Sequence, residues 1–206
     1  SIFYMDKICV GPEAKDAIDI ESPVADNLGR IAKRLDRKMD ELTVVVLDRP
    51  RHAGLLADIR AAGARVKLIT DGDVAAGIQA ALPGTGVDVL MGIGGSPEGV
   101  LTAAAIRCVG GAIQCKPWPR DDAERKQAID AGIDVDHVYP TEELVAGEDV
   151  FFAATGASAG ELLKGVRYFG GGAETQSLVM RSRSGTVRMI DAHHALDKLE
   201  AFSPVY

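Results

Sequence analysis

Several common functional signals are missing from this chain. It has three cysteines, one tryptophan and 5% aromatic residues. Cys9, Cys108 and Cys115 are odd in number and form no CxxC or Cys/His pattern, so disulfides and a zinc site are excluded in favour of reduced cytosolic thiols. Positive charge is also short. Against 30 acidic residues stand 23 Lys and Arg, giving a net charge of -7, which argues against a nucleic-acid binder that needs a basic face. No run approaches the ~18 apolar residues of a membrane span, and no signal peptide is evident, so a cytoplasmic location is expected. The chain opens on "SIFYMDK", without an initiator Met or a helix cap. The expectation is therefore that it starts within a larger fold.

What is present is an ordinary globular composition, 47% hydrophobic and 26% charged over 206 residues, enough for a single α/β domain spanning residues 1–206. Ser22-Pro23 reads as a helix start, followed by "VADNLGRIAKRL" at helical spacing. Next come "TVVVLD" (43–48) as a buried parallel strand, a helix over 50–63 with Gly at its end, and a strand over 64–71. A helix over 73–82, capped by the preceding aspartate, leads to a strand over 87–95 and a helix over 97–111. This alternation predicts a mostly parallel sheet with helices on both faces. A fourth strand is expected at 149–156, then a short helix "GELLKGVR" and an antiparallel hairpin over 176–192 turning at Ser184-Gly185. "DDAERKQAIDAG" reads as a polar, solvated helix. No linker or repeat divides the chain.

Ligands of parallel sheets sit at the carboxyl ends of the strands. Four loops are expected there: "LDRPRH", "TDGDVA", "GIGGSPEG" and "ATGASAG". Arg49 and Arg51 flank Pro50, and a planar guanidinium fork suits phosphate oxygens. They could equally be surface arginines near a helix start. Asp71 and Asp73 surround Gly72. Either aspartate caps the next helix, or the pair accepts hydrogen bonds from sugar hydroxyls. "GIGGSPEG" has neither the dinucleotide spacing nor the Gly-Lys-Ser/Thr of a phosphate loop. Glu98 fits the first turn of a helix, where the dipole favours negative charge. It also fits a second role. A carboxylate beside a phosphate-sized gap calls for a divalent cation between the two, making Glu98 a candidate Mg²⁺ or Mn²⁺ ligand. Ser158 lacks a nucleophile elbow. His52, His137, His193 and His194 show no ligand or triad spacing and read as ordinary core or surface residues.

Taken together, "YMDK" (4–7), "RPRH" (49–52), "DGDVAA" (71–76), "MGIGGSPEGV" (91–100) and "SLVMRSRSGTVR" (177–188) resemble the class II fructose-1,6-bisphosphatases of bacteria, over essentially the whole chain. That family belongs to the lithium-sensitive phosphatases. The resemblance implies a layered α/β/α/β/α sandwich and hydrolysis of the 1-phosphate of fructose 1,6-bisphosphate in gluconeogenesis. It implies a metal role for Glu98 and substrate contact at Gly95. Sugar-hydroxyl contacts fall to Asp71 and Asp73 around Gly72, phosphate binding to Arg49 and Arg51 around Pro50, and a sugar-site role to Tyr4. It further implies that the other metal carboxylates and a water-activating threonine lie in an N-terminal half outside this chain. No residue here is then assigned as catalytic, and the implied partners are that half and further copies in a homodimer or homotetramer. Activity on sedoheptulose 1,7-bisphosphate, or sugar-phosphate binding without turnover, are the alternatives.

Overall fold

The computed structural model describes residues 4–202. Its first sheet contains β1 (Tyr4–Val10), β2 (Thr43–Leu47), β3 (Arg65–Ile69), β4 (Val89–Gly95), β5 (Ala112–Pro117) and the two-residue β6 (Tyr139–Pro140), in the order β3-β2-β4-β1-β5-β6. β2 runs parallel to β3 and β4, while β1 is antiparallel to both β4 and β5. Four of the six strands thus run in one direction, as expected of a mostly parallel sheet, with β1 inserted antiparallel near its centre and the short β6 antiparallel at its edge.

Four of the helices cover its two faces. α1 (Val24–Arg34) and α2 (Ala53–Ala62) pack on one side, burying Leu28, Ile31 and Ile59 against Ile8, Val44, Val46 and Val89. α3 (Asp73–Ala81) and α4 (Ser96–Val109) pack on the other, with Ala76, Ala80 and Ile106 against Cys9, Val45, Leu90 and Ile113. The shorter α5 (Asp122–Asp130) and α6 (Thr141–Leu144) follow β5 and β6. Gly63 and Gly110 end α2 and α4 in the left-handed region, at φ 91° and 77°, where glycine carries no Cβ penalty.

A second sheet lies beyond α3 and α4. It contains β7 (Phe151–Thr155), β8 (Arg167–Phe169), β9 (Gly172–Arg181) and β10 (Thr186–Ala195), all antiparallel to their neighbours, with α7 (Leu196–Phe202) after β10. Phe152, Leu178 and Met180 pack on Ile78, Ala105 and Cys108. The layers therefore run helix, sheet, helix, sheet. The middle helices serve two cores at once, so their facing residues are small: a Cβ on Gly77 would come within 2.5 Å of Thr102 Cγ2.

Several local expectations change. The strand near 149–156 belongs to the second sheet and pairs antiparallel with β9. A short apolar run carries no mark of which sheet it enters. Its glycine turn is therefore not one of the loops at the ends of the parallel strands. "GELLKGVR" is not a helix. A Cβ on Gly156 would sit 2.1 Å from Lys164 O, and one on Gly165 would sit 2.4 Å from Ala159 N. This close backbone approach folds the segment into a tight loop leading to β8. Pro23, not Ser22, is the N-cap of α1, and the Ser22 hydroxyl instead donates to Asp19 Oδ2. The hairpin forms as expected, over a longer span, with Gly185 at φ 59°.

Leu178 is fully buried between the second sheet and the middle helices. Leu178→Ala should lower the unfolding free energy by about 2–5 kcal/mol, as cavity-forming truncations do, read from urea denaturation.

Candidate functional site

The antiparallel direction of β1 brings its first residue to the end where the parallel strands finish. Tyr4 pairs with Gly95, and Met5 pairs with Pro117. The loops after β2, β3, β4 and β5 therefore meet around the start of β1.

Beneath this meeting point lies a buried ion pair. Lys7 is 2% exposed and Asp73 8%. The Lys7 ammonium donates to Asp73 Oδ2 at 2.7 Å and to the Gly95 carbonyl at 3.1 Å. Asp73 therefore does not cap its helix. The N-cap of α3 is Gly72 at φ 79°, with no side-chain cap bond, so the capping expectation gives way to a stronger charged partner. The glycines of β4 make room for this pair: a Cβ on Gly94 would lie 2.3 Å from Asp73 Oδ2 and 2.7 Å from Lys7 Nζ. A Cβ on Gly95 would lie 1.9 Å from Glu98 Oε2. The Glu98 carboxylate is thus folded back over Gly95 from the first turn of α4, and Gly95 is the N-cap there.

A second set of contacts fixes the loop after β2. Pro50 opens a short 3₁₀ turn, Pro50–His52. His52 is 1% exposed. Its Nε2 accepts from the Ile93 N–H at 2.8 Å, and its Nδ1 lies 2.7 Å from the Leu47 carbonyl. Nε2 being the acceptor, Nδ1 carries the proton and the ring is neutral. Arg51 holds the same peptide from its other side, donating through Nε and Nη2 to the Ile93 carbonyl at 3.2 and 2.8 Å. Its guanidinium carbon lies 5.1 Å from the centroid of the Tyr4 ring, within cation–π range. Arg49 is half-buried and donates to the Asp48 and Thr70 carbonyls at 2.7 and 2.6 Å, tying the ends of β2 and β3. Among the described residues, neither Arg49 nor Arg51 forms an ion pair. Asp71 is exposed at the rim, beside Gly72.

Of the residues expected from sequence, the fold gathers Tyr4, Arg51, Asp73, Gly95 and Glu98 closely, and places Arg49, Pro50, Asp71 and Gly72 around them. Sequence reasoning gave no role to Lys7 or His52. The signal for Lys7 was a cation between Met5 and Cys9, on one face of an otherwise apolar strand. No comparable signal marked His52. His137, His193 and His194 contact Glu143, Glu174 and Thr175 and take no part here.

A divalent ion needs more ligands than the described residues bring together. Among the described residues no group of three or more His, Cys, Asp or Glu is placed to hold a metal. Glu98 offers one carboxylate, so these residues alone do not fit a metal centre.

Burial shapes the local titrations. It pushes the Asp6 carboxyl above its usual range, against the lowering effects of the Lys7 backbone N–H and the Lys7 charge. Burial likewise pushes the Cys115 thiol up to about 12 and raises Cys9 and Cys108.

Comparison with known proteins bears on this site. The family described as bacterial fructose-1,6-bisphosphatase, glpX-encoded, matches residues 1–194. Proteins of Synechococcus sp. strains JA-3-3Ab and JA-2-3B'a(2-13) are each 47% identical over 207 residues, covering 94% of this chain and 60% of the relative. One of Synechococcus elongatus is 45% identical over 214 residues, covering 98% and 62%. All three are described as D-fructose 1,6-bisphosphatase class 2/sedoheptulose 1,7-bisphosphatase. The chain thus spans about 60% of the length of these relatives.

Two outcomes follow from the buried groups. Lys7→Met strands the Asp73 carboxylate and should destabilise the fold by about 3–5 kcal/mol, and adding Asp73→Asn should recover part of that loss in the same denaturation assay. The raised thiol pKa values keep all three cysteines protonated at pH 8, since the thiolate forms only above the folded pKa. A thiol reagent should therefore titrate no cysteine in the folded chain at pH 8, and 3 in denaturant.

Proposed function

We propose, since this chain belongs to the bacterial, glpX-encoded fructose-1,6-bisphosphatase family, that it forms the sugar-phosphate-holding side of a bisphosphatase site. The reaction is hydrolysis of fructose 1,6-bisphosphate at the 1-phosphate, giving fructose 6-phosphate and inorganic phosphate. The observation that carries this reading is the convergence of Tyr4, Arg51, Asp73, Gly95 and Glu98 at one end of the first sheet.

Each residue then has a physical task. Arg51, with Arg49 at the rim, anchors the phosphate that is not cleaved, so remote binding energy positions the reacting one. Arg51 suits this because, among the described residues, its charge meets a neutral carbonyl and an aromatic ring and no carboxylate. Asp73, fixed by Lys7 through Oδ2, turns its other oxygen to a sugar hydroxyl, and Asp71 takes a second one from the exposed side. Gly95 lets the substrate come close to the backbone, and Tyr4 forms a wall of the sugar site. Glu98 supplies one ligand to a divalent ion, Mg²⁺ or Mn²⁺, whose other ligands would come from an N-terminal portion outside this chain. When bound, such an ion offsets charge on phosphoryl oxygens and lowers the pKa of a water. No side chain of this chain is assigned to activate that water. The assembly would join this chain to that N-terminal portion, within a homodimer or homotetramer.

Action on sedoheptulose 1,7-bisphosphate is a second reading, favoured by the paired names of the relatives. The comparison of kcat/KM on both substrates decides it.

The test is phosphate release from fructose 1,6-bisphosphate with Mg²⁺ or Mn²⁺, for this chain with and without the N-terminal portion. Release only with both supports the reading, and release with neither overturns it in favour of binding without turnover. In the active form, Glu98→Gln should lower metal affinity and turnover together. Arg51→Ala should raise KM roughly 10- to 100-fold, the loss of a charge-assisted contact, and an unchanged KM would remove Arg51 from the anchor.

A further inference from the structure

We infer that Arg120 is a further phosphate-binding residue, reaching the same retained phosphate as Arg51 from the loop after β5. This rests on the sugar-bisphosphate reading above. No sequence motif drew attention to Arg120, and the inference comes from where β5 ends.

The pairing of Met5 with Pro117 sets the loop after β5 beside Tyr4. The Trp118 N–H donates to the Tyr4 carbonyl at 3.0 Å, continuing the ladder by one bond. The Trp118 ring meets the Tyr4 ring edge-on, at 6.4 Å and 90°, and this contact restrains the phenol. Two residues on, the Arg120 guanidinium carbon lies 5.7 Å from the centroid of the Tyr4 ring, against 5.1 Å for Arg51. Two guanidinium groups, from loops more than sixty residues apart in sequence, thus converge on one phenol ring. Arg120 is paired with Glu124, and a second guanidinium fork beside the ring that Arg51 also meets suits phosphate oxygens.

The Arg120 side chain is also held in place. Glu124 Oε2 accepts from its backbone N–H at 2.7 Å and from its Nε at 3.1 Å. Glu124 is buried, and its own N–H donates to Asp121 Oδ1 at 2.8 Å, the N-cap contact of α5. The guanidinium is therefore oriented through Nε while the side chain remains 55% exposed. This half-exposed guanidinium is the group that would meet phosphate. A guanidinium fixed before binding loses little freedom on binding.

The test is calorimetric titration of this chain with fructose 6-phosphate, using Arg120→Ala, Arg120→Lys, Arg51→Ala and, as a control, Arg125→Ala, which lies on α5 and pairs with Asp136. Arg120→Ala should weaken binding roughly 10- to 100-fold, Arg120→Lys by less, and Arg125→Ala not at all. If Arg51→Ala weakens binding and Arg120→Ala does not, the Arg120 inference is overturned while the site reading stands. If the unchanged chain does not bind fructose 6-phosphate, the site reading fails and this inference with it. Should Arg120→Ala unfold, Arg120→Lys decides, since it keeps a charge for Glu124 without the planar fork. Affinity equal to that of the unchanged chain then overturns the proposal.

Discussion

The ammonium of Lys7 constrains the strands and helix starts around it. A cation that is 2% exposed in the middle of a sheet must be answered by charge and by hydrogen bonds, because desolvating it alone costs several kcal/mol. Asp73 supplies the charge and the Gly95 carbonyl a further acceptor. For these to coincide, β1 must lie against β4, α3 must begin at Asp73 after a left-handed Gly72, and β4 must end in residues without side chains. A buried pair of this kind contributes little net stability compared with an apolar replacement. Its consequence is positional: three separate stretches of chain share one point, and Tyr4 and Glu98 are placed next to it.

The strand–helix alternation was legible because its punctuation is local. Glycines in the left-handed region end α2 and α4, prolines stand at the starts of helical turns, and a β-branched run fills β2. β1 and β5 escaped notice for a common reason. Each carries polar residues where a buried strand would be apolar: Asp6 and Lys7 in β1, Gln114 and Lys116 in β5. Those residues are answered by partners distant in sequence, such as Asp73 for Lys7 and Glu21 for Lys116. β7 was misplaced because "FFAAT" has no polar alternation, although Phe151 is exposed and Phe152 buried.

The candidate site divides in the same way. Tyr4, Arg51, Asp73, Gly95 and Glu98 were found through motifs and a family resemblance. Lys7, His52 and Arg120 were not, because each acts through geometry that only the closed sheet creates. His52 shows the limit plainly. Nothing in "RPRH" indicates that the imidazole will be buried and neutral, bridging the Leu47 carbonyl and the Ile93 N–H. The partner peptide lies 41 residues away.

A net charge of -7 sits uneasily with the proposed binding of a bisphosphate, until the charges at this end of the sheet are taken one by one. Asp73 is offset by Lys7, and Glu124 by Arg120. Asp6 is pushed toward its neutral form by burial. Asp71 is exposed, where water screens it. Arg49 and Arg51 meet neutral carbonyls instead of carboxylates. Local balance therefore favours an anion although the whole chain repels one. Glu98 is the exception. Its carboxylate is folded over Gly95 and forms no ion pair among the described residues. Beside a phosphate it would be repulsive unless a cation stood between them. That unfavourable charge in the proposed anion site is thus what gives a divalent ion a reason to be there.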